Sequence, residues 1–120
     1  MSAYAIAHIR EIDLNEDILV YLRKIDASLE PYEGRFAVHG VVPEVVEGPF
    51  PGSIVIIEFP DSDRARAWYE SDAYAEILPL RTENSDSSAI LVEGTPPGYR
   101  AEMFAEKLID EGALPDDRAA

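Results

Sequence analysis

The chain contains no cysteine, which removes disulfide frameworks, thiolate zinc sites and cysteine nucleophiles together. A reducing cytoplasm is the expected compartment. Positive charge is scarce as well: ten lysines and arginines stand against twenty-four acidic residues, for a formal net charge of −14. Such a surface repels a phosphate backbone and an anionic bilayer alike, so neither nucleic acid nor membrane is an expected partner. No uncharged apolar run is long enough to span a bilayer, and Met1-Ser2-Ala3-Tyr4 lacks the basic region and apolar stretch of a signal peptide. Nucleophilic triads, phosphate-cradling glycine loops and paired catalytic carboxylates are not recognisable. No cofactor is therefore expected.

What is present is apolar material for one core. At 120 residues and 47% hydrophobic, the chain suits a single domain and is too short for two ordinary ones. Its most informative stretch is Ile54–Phe59, a nearly unbroken apolar run of the kind that a central strand covered on both faces requires. Pro60-Asp61 ends that run and caps a following helix that carries Ala65 and Trp68 at inward spacing.

The flanking segments fill out the pattern. Residues 3–9, Ala3-Tyr4-Ala5-Ile6-Ala7-His8-Ile9, alternate large and small, as in a strand whose alanine face lets a helix approach closely. Asp13 or Asn15 opens a helix with Ile18, Leu22, Ile25 and Leu29 on its apolar stripe, and Pro31 and Gly34 end it. Residues 35–42 alternate again and Val45-Val46-Glu47 extend the pattern past Pro43, which predicts a kinked edge strand. The turn-rich Gly48-Pro49-Phe50-Pro51-Gly52 then reverses the chain into Ile54–Phe59 as a hairpin. Ala73–Leu78 reads as a short helix stopped by Pro79, and Ser88–Glu93 as the last strand.

The order strand, helix, strand, strand, helix, strand predicts an α+β fold, the ferredoxin-like βαββαβ sandwich, with an antiparallel or mixed sheet in the order 4-1-3-2. It places the two most apolar strands in the middle. Residues 3–94 make this domain. Residues 95–120 form an acidic extension with a short helix bearing Tyr99, Met103, Leu108 and Ile109, and Pro115-Asp116-Asp117-Arg118 is expected to fray.

Eight motifs in order, Ala3-Tyr4-Ala5-Ile6-Ala7, Tyr32-Glu33-Gly34-Arg35-Phe36, Val46-Glu47-Gly48, Ile57-Glu58-Phe59-Pro60, Ala67-Trp68-Tyr69-Glu70-Ser71, Tyr74, Leu80-Arg81 and Val92-Glu93-Gly94, resemble the domain of unknown function 1330 family. The resemblance implies a dimeric α/β barrel, in which two ferredoxin-like sheets pack face to face as a homodimer. The sequence departs from the family at two points. Glu33 precedes Gly34 where the family usually has two glycines, and the extension after Gly94 lies outside the shared domain.

The candidate ligand-binding residues are Arg35, His39, Glu58, Trp68, Tyr69, Tyr74 and Arg81. Trp68, Tyr69 and Tyr74 are large aromatics, the last two with polar tips, suited to walling a small-molecule pocket; a plain core role is the alternative. The resemblance places Arg35 and Arg81 in family motifs, and a guanidinium forks onto a carboxylate, that of Glu47, of Glu58 or of a ligand. Arg81, after Pro79, is expected to face the aromatic cluster. The first and third strands are expected to run parallel and adjacent, which puts His8 and Glu58 near the same end of the sheet with His39 on the neighbouring strand, a two-histidine, one-carboxylate set. Its spacing carries no metal signature, and no metal site is expected.

Three functions fit these residues. A homodimeric small-molecule-binding domain ranks first. A cofactor-independent oxygenase- or isomerase-like enzyme, which the resemblance permits through related dimeric barrels, ranks second. A structural or regulatory dimer without ligand ranks third.

Overall fold

The computed structural model describes residues 1–116; Asp117 and Arg118, in the segment expected to fray, lie outside the described residues. The elements run β1 (Ala3–Ile12), α1 (Glu16–Leu29), a 3-10 turn (Glu30–Tyr32), β2 (Arg35–Val38), β3 (Ser53–Phe59), α2 (Ser62–Tyr69), α3 (Asp72–Thr82), β4 (Ser85–Glu93) and α4 (Ala101–Asp110). The four strands form one sheet in the order β2-β3-β1-β4, which is the expected 4-1-3-2 arrangement read from the other edge.

Every pairing in that sheet is antiparallel, including β1 with β3. The parallel run expected of these two strands is thereby corrected. A split βαβ unit makes β1 and β2 parallel to each other, so β3, reached from β2 by a reversal, runs against both. Tyr4 consequently faces Glu58 and His8 faces Ile54. Four strand positions, about 13 Å, separate the level of His8 from that of Glu58. Among the described residues no group of three or more histidines and carboxylates could hold a metal ion.

Local chemistry fixes the helix starts. Asn15, rather than Asp13, caps α1 by accepting from the Ile18 amide (3.1 Å). Asp61 caps α2 through the Arg64 amide (2.8 Å), as Pro60-Asp61 predicts. Ser71 caps α3 through Tyr74 (3.2 Å). Helix α3 does not stop at Pro79 but runs through it to Thr82. Pro79 is exposed, so the bond it cannot donate is lost on the solvent side, while Ile77 and Arg81 stay buried on the other. Beyond it, Asn84 Nδ2 and Ser85 Oγ donate to the carbonyls of Leu80 and Arg81 (2.8 and 2.7 Å) and hold the last turn.

The expected long edge strand is shorter than its pattern. β2 ends at Val38, its irregularity falls between Phe36 and Val38, and Pro43 lies in the loop that follows. Gly40, with φ of 73°, takes the chain out of extended geometry before Pro43 is reached. That loop returns to the sheet at Gly52, whose φ is 84° and whose pro-chiral hydrogen points at β1: a Cβ there would lie 1.9 Å from the Ile9 carbonyl oxygen. Gly52→Ala is expected to lose at least about 2 kcal/mol of stability, measured by urea unfolding, because both backbone conformation and space are denied to a side chain.

The core fills the layer between the sheet and α1, α2 and α3. Ala3, Ala5, Ile57 and Phe59 on the inner sheet face meet Tyr21, Ile25, Leu29, Ala65, Trp68, Tyr74 and Ile77. The small alanines of β1 admit the helices, as their alternation predicts. Gly34 allows a close approach too, since a Cβ there would meet Phe59 and Leu29 side-chain atoms at 2.7 and 2.8 Å. Glu33 adopts a left-handed φ of 57°, a conformation that glycine takes without cost. No helix covers the outer sheet face, which carries Tyr4, Ile6, His8, Ile54, Ile56, Glu58, Ile90 and Val92.

Helix α4 makes no substantial contact with any other element. The described chain measures 62 × 33 × 20 Å with a radius of gyration of 18.1 Å, whereas a compact domain of this length would give about 13.5 Å. An arm projects from the body. Among the described residues no helix is long and apolar enough to cross a membrane.

Candidate functional site

A cavity of about 500 Å³ lies between the inner sheet face and the helices, within the range of small-molecule sites, roughly 300–1,000 Å³. Its walls are mainly apolar: Ala5, Ala7, Val55 and Ile57 from the sheet, with Ile18 and Ile25 from α1. Trp68, Tyr69 and Tyr74 form a connected aromatic wall, with ring centroids 4.1 Å apart for Trp68 and Tyr74 and 5.6 Å for Tyr69 and Tyr74. Trp68 serves as wall and core anchor at once. It is 2% exposed, packs on Phe59 with centroids 5.5 Å apart, and donates from Nε1 to Ser28 Oγ at 3.0 Å. Ser28 Oγ in turn donates to the Ile25 carbonyl (2.6 Å), so the buried indole N–H and the buried hydroxyl are both satisfied.

Tyr21, Tyr74 and Arg81 form a polar cluster in the cavity wall. Helix α3 places Tyr74, Ile77 and Arg81 on one face at i, i+3 and i+7, and α1 places Tyr21 opposite. The Tyr21 and Tyr74 hydroxyls are 2.7 Å apart. Arg81 is 6% exposed, donates from Nη1 to Ser87 Oγ at 2.8 Å, and interacts with both phenols. None of the ion pairs among the described residues includes it. Burial pulls the guanidinium pKa down, but charge and hydrogen-bonding interactions with Tyr74 and Tyr21 more than offset this and leave it above the usual arginine value. Burial, reinforced by Tyr74, pushes the Tyr21 phenol far up, so Tyr21 stays a neutral donor throughout the physiological range. This part of the cavity wall therefore offers a fixed cation and hydroxyls, a combination that stabilises negative charge and supplies no carboxylate base.

The cavity opens to solvent where Ile12, Leu14, Leu22 and His39 are lining residues that are also exposed; Ser85, which pairs with Ile12, and Ser87, which pairs with Ile9, hold Arg81 at this same Ile12 end of β1. His39 stacks against Phe36 with centroids 4.6 Å apart.

Of the seven candidate ligand-binding residues, His39, Trp68, Tyr69, Tyr74 and Arg81 line this one cavity. Arg35 and Glu58 do not. They face each other across β2 and β3 and form an ion pair on the outer sheet face, where Tyr4 also donates to Glu58 at 3.4 Å. His8 lies on that outer face as well, stacked on Phe50 at 4.3 Å, with Nε2 2.7 Å from the Pro51 carbonyl oxygen. Tyr21 is the site residue that the sequence reading overlooked. It sits three positions after Ile18 and four before Ile25, on the apolar stripe of α1, and it is buried where Leu22, the residue assigned to that stripe, is 40% exposed.

These features define a ferredoxin-like α+β sandwich with an apolar cavity and a buried cation in its wall. The sequence matches the family described as domain of unknown function (DUF1330) over residues 2–95, and the chain belongs to that family. No curated protein matches it. Among solved structures, a protein of unknown function from Rhodopseudomonas palustris is similar at 17% identity and a TM-score of 0.60, covering 80% of this chain and 84% of that one. A dimeric ferredoxin-like protein of unknown function from a Jannaschia species is similar at 9% identity and a TM-score of 0.57, covering 78% and 100%. A mutant of SnoaB, a cofactor-independent oxygenase from Streptomyces nogalater, is similar at 15% identity and a TM-score of 0.53, covering 82% and 97%. At these identities the likeness is one of fold.

Proposed function

We propose that the protein is a cytoplasmic homodimer that binds a small, largely apolar molecule carrying an anionic or carbonyl oxygen in the cavity between sheet and helices. Arg81 and the Tyr21–Tyr74 pair anchor the oxygen, Trp68 and Tyr69 wall the apolar body, and His39 stands at the mouth. The observation that carries this reading is Arg81 itself. It is a buried guanidinium with no carboxylate partner among the described residues, in the wall of an apolar cavity, in a chain of net charge −14. A buried ion that lacks a counter-charge is costly to keep, and a ligand carboxylate would supply one in the bidentate geometry that arginine favours.

The dimer follows from the outer sheet face. Ile6, Ile54 and Ile56 are only half-buried there, and Ile90 is 56% exposed, with no element of the same chain above them. A second copy applied to the same patch gives each isoleucine apolar cover. Sedimentation at micromolar concentration is expected to report twice the 13.3 kDa chain mass. A stable, soluble monomer would refute the dimer.

Binding is tested by melting the protein with octanoate, benzoate and naphthoate beside their primary amides. Carboxylates at about a hundred times their dissociation constants would add about 2.7 kcal/mol, and the uncharged amides are expected to shift the transition far less. If no acid moves the transition, the ligand reading fails. An enzyme is the second reading, favoured by the fold shared with an oxygenase that uses no cofactor; it requires turnover of a bound compound, because fold alone assigns no chemistry.

A further inference from the structure

We propose that the C-terminal arm, residues 95–114, lies on the second copy of the chain and closes the mouth of that copy's cavity, so that each site is completed by its partner. The inference rests on the cavity being a binding site. It starts from two apolar surfaces that a single chain leaves uncovered. Met103 and Phe104 on α4 are 52% and 50% exposed, and at the cavity mouth Leu14 is 83% exposed beside Ile12 and Leu22.

The two surfaces sit at opposite ends of the sheet. The arm departs from Gly94, whose amide donates to the Ser2 carbonyl at 2.7 Å beside the start of β1. The mouth lies at the other end of β1, beyond Ile12. Ten strand residues span about 30 Å. From Gly94 to Met103 the chain reaches about 27 Å even if it runs straight, seven residues extended and two helical. Met103 and Phe104 therefore fall short of their own chain's mouth, and in the structure α4 makes no substantial contact with the body. If two sheets pair about a two-fold axis perpendicular to their strands, the mouth end of one copy lies beside the arm end of the other.

Interface area argues for the same occupant. A four-stranded sheet about 19 Å wide, with the seven residues over which β1 and β3 pair giving about 23 Å of length, offers a footprint of about 440 Å². A stable interface takes about 800 Å² from each partner. The sheet alone supplies roughly half. An α4 helix of ten residues, about 15 Å long and 10 Å wide, adds about 150 Å² as the arm given and about as much again as the surface receiving the other arm. The sum approaches the required area only with both arms exchanged.

The natural absence of cysteine makes the test clean. The double variant Leu14→Cys with Phe104→Cys is oxidised at micromolar concentration beside each single variant and analysed without reductant. A disulfide-linked dimer in the double variant, exceeding any dimer in the single variants, is expected. Closure at monomer mass, or free thiols in a folded double variant, overturns the proposal. Sedimentation of Met103→Glu with Phe104→Glu gives an independent reading: the dimer is expected to dissociate at least tenfold more readily, and an unchanged dissociation constant overturns it. Neither measurement uses a ligand. If the carboxylates fail to bind while the cross-link forms, the cavity reading fails and the arm's placement stands.

Discussion

Trp68→Ala is expected to destabilise the fold by about 3–5 kcal/mol, the usual cost of deleting a buried indole. Trp68 is 2% exposed and packs on Phe59, Tyr69 and Tyr74, so its removal uncovers the middle of the helix-to-sheet layer. It also removes the Nε1 donor from the Ser28 hydroxyl, which keeps only its own bond to the Ile25 carbonyl. Against a total stability of about 5–15 kcal/mol, such a loss leaves the domain marginal at best. Urea unfolding measures it, through a fall in midpoint at constant slope. Trp68→Phe separates the two contributions: it keeps most of the apolar contact, gives up the hydrogen bond, and is expected to lose only about 1–3 kcal/mol. A small loss for Trp68→Ala would mean that the ring faces the cavity more than it supports the core.

Much of this fold was legible because its strongest signals were local. The apolar Ile54–Phe59 run, the Pro60-Asp61 junction and the alanine face of β1 each point to one element with one burial pattern, and strand order follows from their sequence. Strand direction and face demanded one more step. Glu58 stands between Ile57 and Phe59, both buried, and Arg35 stands beside the half-buried Phe36; a period of two therefore puts both charges on the outer face, away from Trp68. By that parity Arg35 and Glu58 separate from the five cavity residues. Pro79 misled for a different reason. A proline inside a helix is a boundary only where the lost bond matters, and on the exposed side of α3 the buried residues on either flank outweigh it. Tyr21 was hidden by chemistry: a tyrosine on an apolar stripe looks less buried than a leucine until a second hydroxyl, that of Tyr74, is found to satisfy it. The arm could not be placed from one chain's pattern, because the surface proposed for it belongs to a second copy.

Arg81→Met is expected to leave the fold intact and to weaken anion binding about a hundredfold. Pairing with a protein carboxylate would make the opposite prediction, since breaking a buried ion pair strands a charge and is strongly destabilising. Here the partners are hydroxyls: Ser87 Oγ at 2.8 Å and the two phenols, which retain each other at 2.7 Å when the guanidinium is gone. Methionine fills much of the same volume, and Ser87 keeps the nearby Ser85 hydroxyl at 2.9 Å. The variant loses a favourable set of contacts and is relieved of an uncompensated buried charge, so the net change in stability is expected within about 1 kcal/mol. Binding has no such compensation. A ligand carboxylate that loses two charge-assisted hydrogen bonds, at a combined cost of about 3 kcal/mol, binds roughly a hundredfold more weakly. Calorimetric titration with octanoate, or with whichever carboxylate raises the parent's melting temperature most, measures the difference. Arg81→Lys keeps the charge but not the fork, and is expected to fall between the two. If Arg81→Met melts far below the parent, the guanidinium is a structural group and the anchoring role falls. If it melts with the parent and still binds the acid with unchanged affinity, the anchor lies elsewhere in the cavity.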